Sequence, residues 1–207
     1  MFALMKKRSI PSGRTDSPVK PAAKKMVQLK ITLRHSQPSI WRRVVVPGDI
    51  GLGTLHDVIQ AVMGWDNSHP HLFTRNRTVY SYEDLETGCD GKPVLAEAEY
   101  LLCDLGLRTG AAFAYEYDFG DSWWHDLKVE KTEPMTERPT HAVCLAGANA
   151  APPDDTGGVW GYSVKLACLA DPKHPDHQYI REWFGDDFDP AVFKMDETNR
   201  LLCSLRV

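Results

Sequence analysis

Three short stretches of this sequence gather side chains that can hold a cation or move a proton. In His69-Pro70-His71 the two imidazoles stand at i and i+2. In an extended segment they share a face and could meet one metal ion. The alternative is packing and hydrogen bonding at a helix-to-strand junction, with Pro70 fixing the turn. The second stretch holds Asp118, Asp121 and His125, where carboxylates and an imidazole could bind a divalent ion or act as general acid and base. The alternative is turn chemistry, with the acids bonding nearby backbone N–H groups and Gly120 taking a positive φ. By strand alternation His125 points with Trp123 and Leu127, towards a packed face. The third stretch is Pro152-Pro153-Asp154-Asp155-Thr156-Gly157-Gly158. Its paired acids could bind a metal or a cationic partner, Gly157 and Gly158 let backbone approach a ligand closely, and Trp160 is the nearest aromatic wall. The alternative is a shaped loop whose acids cap a helix near Tyr162.

Six tryptophans, at 41, 65, 123, 124, 160 and 183, add ring surface. With Arg42 and Arg43 they could stack bases or line a peptide groove, although most are expected in the core. The sequence has no phosphate-binding glycine loop, nucleophile elbow or H-E-x-x-H helix. Its five cysteines are scattered without a C-x-x-C pair, which argues against a disulfide framework or a zinc knuckle. No cofactor is expected.

Charge narrows the partners. Residues 1–25 carry seven Lys or Arg against one acid, Asp16, a net +6; this leaves −10 for the remainder of a chain whose total is −4. An acidic body disfavours broad capture of nucleic acid, while the basic segment could touch it. No apolar run approaches the roughly 18 residues of a membrane span, so a soluble, cytoplasmic protein without membrane attachment is expected.

The elements that must position these groups are legible from periodicity. Val27, Leu29, Ile31 and Leu33 alternate with polar residues, the mark of a half-buried strand, and Ile40–Val46 reads as its partner. Thr54 with Asp57 has capping-box spacing, and Leu55, Val58, Ile59, Val62 and Met63 form one helical stripe ending at Gly64. Residues 71–75 and 78–82 suggest a hairpin around Asn76. A stronger hairpin spans 113–129, with Leu101–Leu107 before it as a helical turn. Residues 83–99 read as irregular and acidic, and 133–160 as one long loop rich in Pro, Gly and Ala. Helices are expected from Tyr162 to Ala170, from about Pro175, and from the Asp189-Pro190 start. Residues 1–25 lack apolar periodicity and read as a disordered tail whose removal should leave thermal stability nearly unchanged; Met26 is an alternative start. The expectation is one α+β domain over 26–207, with a mixed, largely antiparallel sheet built from hairpins and helices mainly on one face. A β-grasp-like core is the alternative.

Five segments carry a resemblance: LKITLRHSQPSIWRRVVVP, LHDVIQAVMGWDNSHPHLF, YEYDFGDSWWHDLKVE, APPDDTGGVWGY and DPKHPDHQYIREWFGDDFDP. On these the chain resembles the plasmid pRiA4b third-open-reading-frame family, also labelled an insertion-element passenger or TnpR-like family. The resemblance implies an α+β fold and a link to mobile elements, and it implies little chemistry. A serine recombinase needs a Ser among arginines near an N-terminal strand, and the early basic-flanked serine here, Ser9, lies in the tail. Relatives often place cysteines in the PPDD loop, where this chain has Ala151 and Thr156. The function expected is therefore a non-catalytic binding module for a protein or nucleic-acid partner. The alternative is a metal-assisted hydrolase using the Asp and His residues of the DFGD and PPDD segments. Sequence leaves the oligomeric state open.

Overall fold

The computed structural model describes residues 24–82 and 94–207. Among them eight strands form one mixed sheet: β1 (Lys25–Leu33), β2 (Trp41–Pro47), β3 (His71–Arg75), β4 (Thr78–Ser81), β5 (Val94–Ala96), β6 (Ala112–Tyr117), β7 (Trp123–Pro134) and β8 (Val143–Ala148). Their order is β5-β4-β3-β6-β7-β1-β2-β8. All described pairs are antiparallel except β4 with β5. The helices are α1 (Leu52–Met63), α2 (Gly158–Ala170), α3 (His177–Phe184) and α4 (Met195–Ser204). This is an open α+β sheet, as the strand periodicity implies. No described helix is long and apolar enough to cross a membrane.

The alternation in the sequence becomes two unlike faces. Val27, Leu29, Ile31 and Leu33 of β1 are buried with Trp123, His125, Leu127 and Val129 of β7, in the core that also takes in α1. The opposite face is polar. There Arg43 makes two bonds to Glu130 at 2.5 and 2.9 Å, Arg34 bonds Asp126, and Lys30 lies over the Trp41 ring. The Arg34 guanidinium also covers Trp124, which therefore sits opposite the buried Trp123. Leu55, Val58, Ile59 and Val62 of α1 are fully buried, worth about 1.5–3 kcal/mol per side chain over exposure.

Several boundaries differ from the sequence reading. β1 starts at Lys25, since Gly48 N–H bonds its carbonyl and Met135 N–H bonds that of Lys24. The rest of the expected tail, and residues 83–93 of the expected acidic stretch, lie outside the described residues. Helix α1 begins at Leu52 with Gly51 as N-cap and no side-chain cap, so Thr54 falls in the first turn. Tertiary pairing sets that start: Gly51 bridges Leu101, and Leu52 N–H bonds Tyr100 O at 3.0 Å. Gly64 does close α1 in the left-handed region, at φ 79°.

The stretch 133–160 is more ordered than a loop. It continues β7 to Pro134 and contains β8, which pairs with β2. β8 is an edge strand, and α4 covers it. Asn199 accepts from Cys144 N–H at 2.8 Å and donates to Cys144 O at 3.0 Å, occupying backbone groups a further strand would need. Helix α2 starts four residues before Tyr162, at Gly158. Asp189-Pro190 opens a turn instead of a helix: the Asp189 carboxylate accepts from Ala191 N–H, and α4 begins only at Met195.

Candidate functional site

Sheet register places the first two stretches side by side. His71 of β3 faces Tyr117 of β6, and Asp118 N–H bonds Pro70 O at 2.8 Å. The segment entering β3 therefore lies against the β6–β7 turn. In that turn the Asp118 carboxylate accepts from Gly120 N–H at 2.8 Å and from Asp121 N–H at 3.3 Å, both through Oδ1. The positive φ values belong to Asp118 (56°) and Ser122 (54°) rather than to Gly120. Asp118 is buried, and its second oxygen, Oδ2, faces His69.

The third stretch is clamped onto this pair. Trp65 Nε1–H bonds Pro152 O at 2.8 Å, and Gly157 N–H bonds Asp121 Oδ2 at 2.8 Å. The next residue, Gly158, passes so close that a Cβ there would lie 2.6 Å from Asp121 O. Thr156, fully buried, bonds Pro153 O through its hydroxyl and shapes the loop from within. Neither acid of the loop caps α2, because its N-cap is Gly157 with no side-chain bond. The capping reading of Asp154 and Asp155 is thereby excluded.

The clamp brings His69, Asp118 and Asp155 together. His69 Nδ1 is 3.8 Å from Asp118 Oδ2, and His69 Nε2 is 3.5 Å from Asp155 Oδ1. One ligand atom from each of the three lies within 4.8 Å of the others. A tetrahedral ion with bonds of about 2.1 Å has ligand–ligand edges of about 3.4 Å. Closing the triad on an ion thus needs a small inward movement, and Asp155, exposed on its loop, is the member free to make it. Asp154 lies deeper. Burial and the nearby Asp66 carboxylate push its carboxyl up from the usual range. Trp160 is exposed on the first turn of α2, 79% accessible.

The two histidines of the first stretch do not share a site. His71 is buried and bonded through Nε2 to Glu97 at 3.0 Å. It stacks on His56, ring centroids 3.5 Å apart, and on Tyr82 at 5.1 Å. The two nitrogens of His56 meet Tyr115 OH at 2.7 Å and Asn67 Oδ1 at 2.6 Å. Burial, then the neighbouring His71, depress His56 to about 4, so it is neutral at pH 7. A cleft of about 460 Å³ opens over this group, walled by His56, Asp57, His69, His71 and Glu97. His125 stands apart in the core, against Trp65 and Tyr115. Its ring nitrogens approach the Trp123 and Tyr115 backbone without well-formed bonds, and burial depresses it to about 3.

Sequence reasoning thus named all three members of the triad, together with His125, which does not join it. It missed His56, Asp57 and Glu97. A signal for one of them existed: His56 and Gln60, at i and i+4, are polar residues on the buried side of α1.

Known proteins share this framework. The model for plasmid pRiA4b ORF-3-like proteins matches residues 25–197. An uncharacterized protein, y4hQ, of Sinorhizobium fredii (strain NBRC 101917 / NGR234) is 41% identical over 183 residues, covering 87% of this chain and 92% of its own. The crystal structure of MM3350, a protein of unknown function from Methanosarcina mazei Go1, superposes with a TM-score of 0.74 at 35% identity; the match covers 84% of this chain and 97% of that one. From residue 25 to residue 197, through the sheet and all three stretches that meet at the site, this chain belongs to the plasmid pRiA4b ORF-3-like family.

Proposed function

We propose that this protein is a binding module whose site is the His69–Asp118–Asp155 triad, and that the group bound there is a divalent cation. The observation that carries the reading is the meeting of these three side chains from segments far apart in the chain, all within 4.8 Å. Asp118 has one oxygen fixed by its turn and the other turned to His69, which is how a ligand is held ready. Asp66, Asp121 and Asp154 add negative potential nearby, which attracts a cation and repels a phosphate backbone. A protein partner that bridges through the ion fits this field better than nucleic acid does.

The test is calorimetric titration of metal-free protein with Zn²⁺ and Mn²⁺, beside Asp155→Asn. Saturable binding that weakens at least about tenfold in the variant, with an unchanged melting temperature, supports the site. Equal binding by the two proteins, or none by either, removes it.

A second reading, metal-assisted hydrolysis, draws on a separate observation. The His71–Glu97 pair opens on the same cleft as His69, and an imidazole bonded to a carboxylate is a recurring general base. Metal-dependent cleavage of bis(4-nitrophenyl) phosphate that is lost in Glu97→Gln while metal binding persists supports hydrolysis. Metal binding without any turnover favours the module.

A further inference from the structure

A different cleft, of about 610 Å³, lies between the end of α1, the β8–α2 loop and the segment leading into α4, and Arg42 lines it. Arg42 belongs to β2 and is only 2% exposed. Its Nε–H bonds Val62 O at 2.8 Å, and Nη1 donates to Trp41 O and Ala148 O, both at 2.9 Å. The Phe193 ring covers the guanidinium, 3.9 Å from carbon to centroid. Gly147 allows that approach: a Cβ there would stand 2.6 Å from the Phe193 ring and 2.9 Å from Arg42 Cδ.

The charge is held but not neutralised. Three carbonyls fix Nε and Nη1, while Nη2 makes no hydrogen bond to any described residue. No carboxylate among the described residues pairs with this guanidinium. The acidic groups that act on its charge are the Cys144 thiol and the Tyr162 phenol. Burial raises both, Tyr162 to about 12, so both are neutral at pH 7. A buried cation without a counter-charge is an unfavourable arrangement that an anion relieves. The same cleft supplies hydrocarbon surface from Phe188, Val192, Phe193 and Leu201. Its rim carries Asp186, Asp187, Asp189 and Glu197, which oppose ligands of higher negative charge.

We propose that this cleft binds a small organic monocarboxylate, its carboxylate on Nη2 of Arg42 and its hydrocarbon body against Phe188 and Phe193. Nη2, the donor that the three carbonyls leave free, can give a carboxylate a charge-assisted hydrogen bond, and the acidic rim disfavours a second negative charge. The site is separate from the His69 triad and stands whether or not that triad takes a metal.

Benzoate and benzamide test the idea, since they share a ring and differ in charge. In protein labelled with ¹⁵N-arginine, benzoate is expected to shift the Arg42 Nε–H resonance saturably, with millimolar affinity. Benzamide and phthalate should bind at least about tenfold more weakly. Val192 is half-exposed on the cleft, so Val192→Asp should fold normally and weaken benzoate by a similar factor. Equal shifts with benzoate and benzamide, a shift reproduced by chloride at the same ionic strength, or no saturation at all would each overturn the proposal. Those results would leave Arg42 as a tie between β2, β8 and α1.

Discussion

His56 and His71 lie ring on ring, planes within 6° and centroids 3.5 Å apart, so the His71 ring adds to burial in disfavouring a proton on His56. His56 is held near 4 by burial and by that neighbour, and His125 near 3 by burial, against about 6.5 in an unfolded chain. Below pH 6.5 the unfolded chain binds protons at both rings that the folded chain refuses. Stability therefore falls as pH falls, by roughly 1.4 kcal/mol per pH unit for each ring, until His56 titrates near 4 and His125 near 3. Asp57 and Asp154, raised by burial, oppose the trend only within the carboxylate range. Urea midpoints measured from about pH 7.5 down to 5 should decline steadily; a flat profile would show that these rings are not held neutral.

The double variant Asp154→Asn, Asp155→Asn separates charge from shape. Asp155 has φ 58°, a conformation Asn accepts readily, and neither acid caps α2. Asp154 is partly buried, so losing its charge relieves desolvation. Melting should stay within about 2 °C of the parent, while Zn²⁺ or Mn²⁺ binding weakens at least about tenfold. A melting temperature several degrees lower with intact binding per folded molecule would make the loop structural.

Gly158→Ala should be costly. The new Cβ would meet Asp121 O at 2.6 Å, and the backbone has φ 68°. A loss of about 2 kcal/mol or more is expected from urea unfolding. Gly157→Ala, also at positive φ but with nothing closer than Gly161 Cα at 3.7 Å, should cost about 1 kcal/mol. Equal losses would mean that the contact with the β6–β7 turn does not matter.

Asn199→Ala should uncover the β8 edge. It removes two bonds to Cys144 backbone, worth about 1 kcal/mol each. Light scattering across a concentration series should then detect more self-association than in the parent, because a bare strand edge recruits other strands. A variant that is less stable yet remains as dispersed as the parent would limit Asn199 to a stabilising role.

Much of this fold was legible where burial is one-sided. Val27–Leu33 and Trp123–Val129 alternate cleanly because one face meets the core and the other meets water. β8 escaped because Val143–Ala148 has no regular burial pattern and sits in a Pro-, Gly- and Ala-rich stretch. The start of α2 escaped because glycines at 158 and 161 are poor helix formers; they stand there since Asp121 O and Thr156 O leave no room for a Cβ. Asp118 and Asp155 were both recognisable, but their meeting depends on the Asp121–Gly157 bond between segments 36 positions apart, which no local pattern records. Glu97 was invisible for the same reason, since its partner His71 lies 26 positions earlier, on β3.

The place of β1 in the sheet has a kinetic consequence. It precedes every other described strand in the chain, yet on one side it pairs with β7, Leu33 opposite His125 and Val27 opposite Thr132. The β1–β2 and β6–β7 hairpins need only short loops to close. Joining them closes a loop of about half the domain, whose entropy must be overcome before any contact across the seam is gained. Folding should then be gated by the docking of two hairpins. Truncations at Ile31 or Leu127, which face each other across that seam, should slow refolding, whereas truncations in the β3–β4 hairpin should chiefly speed unfolding.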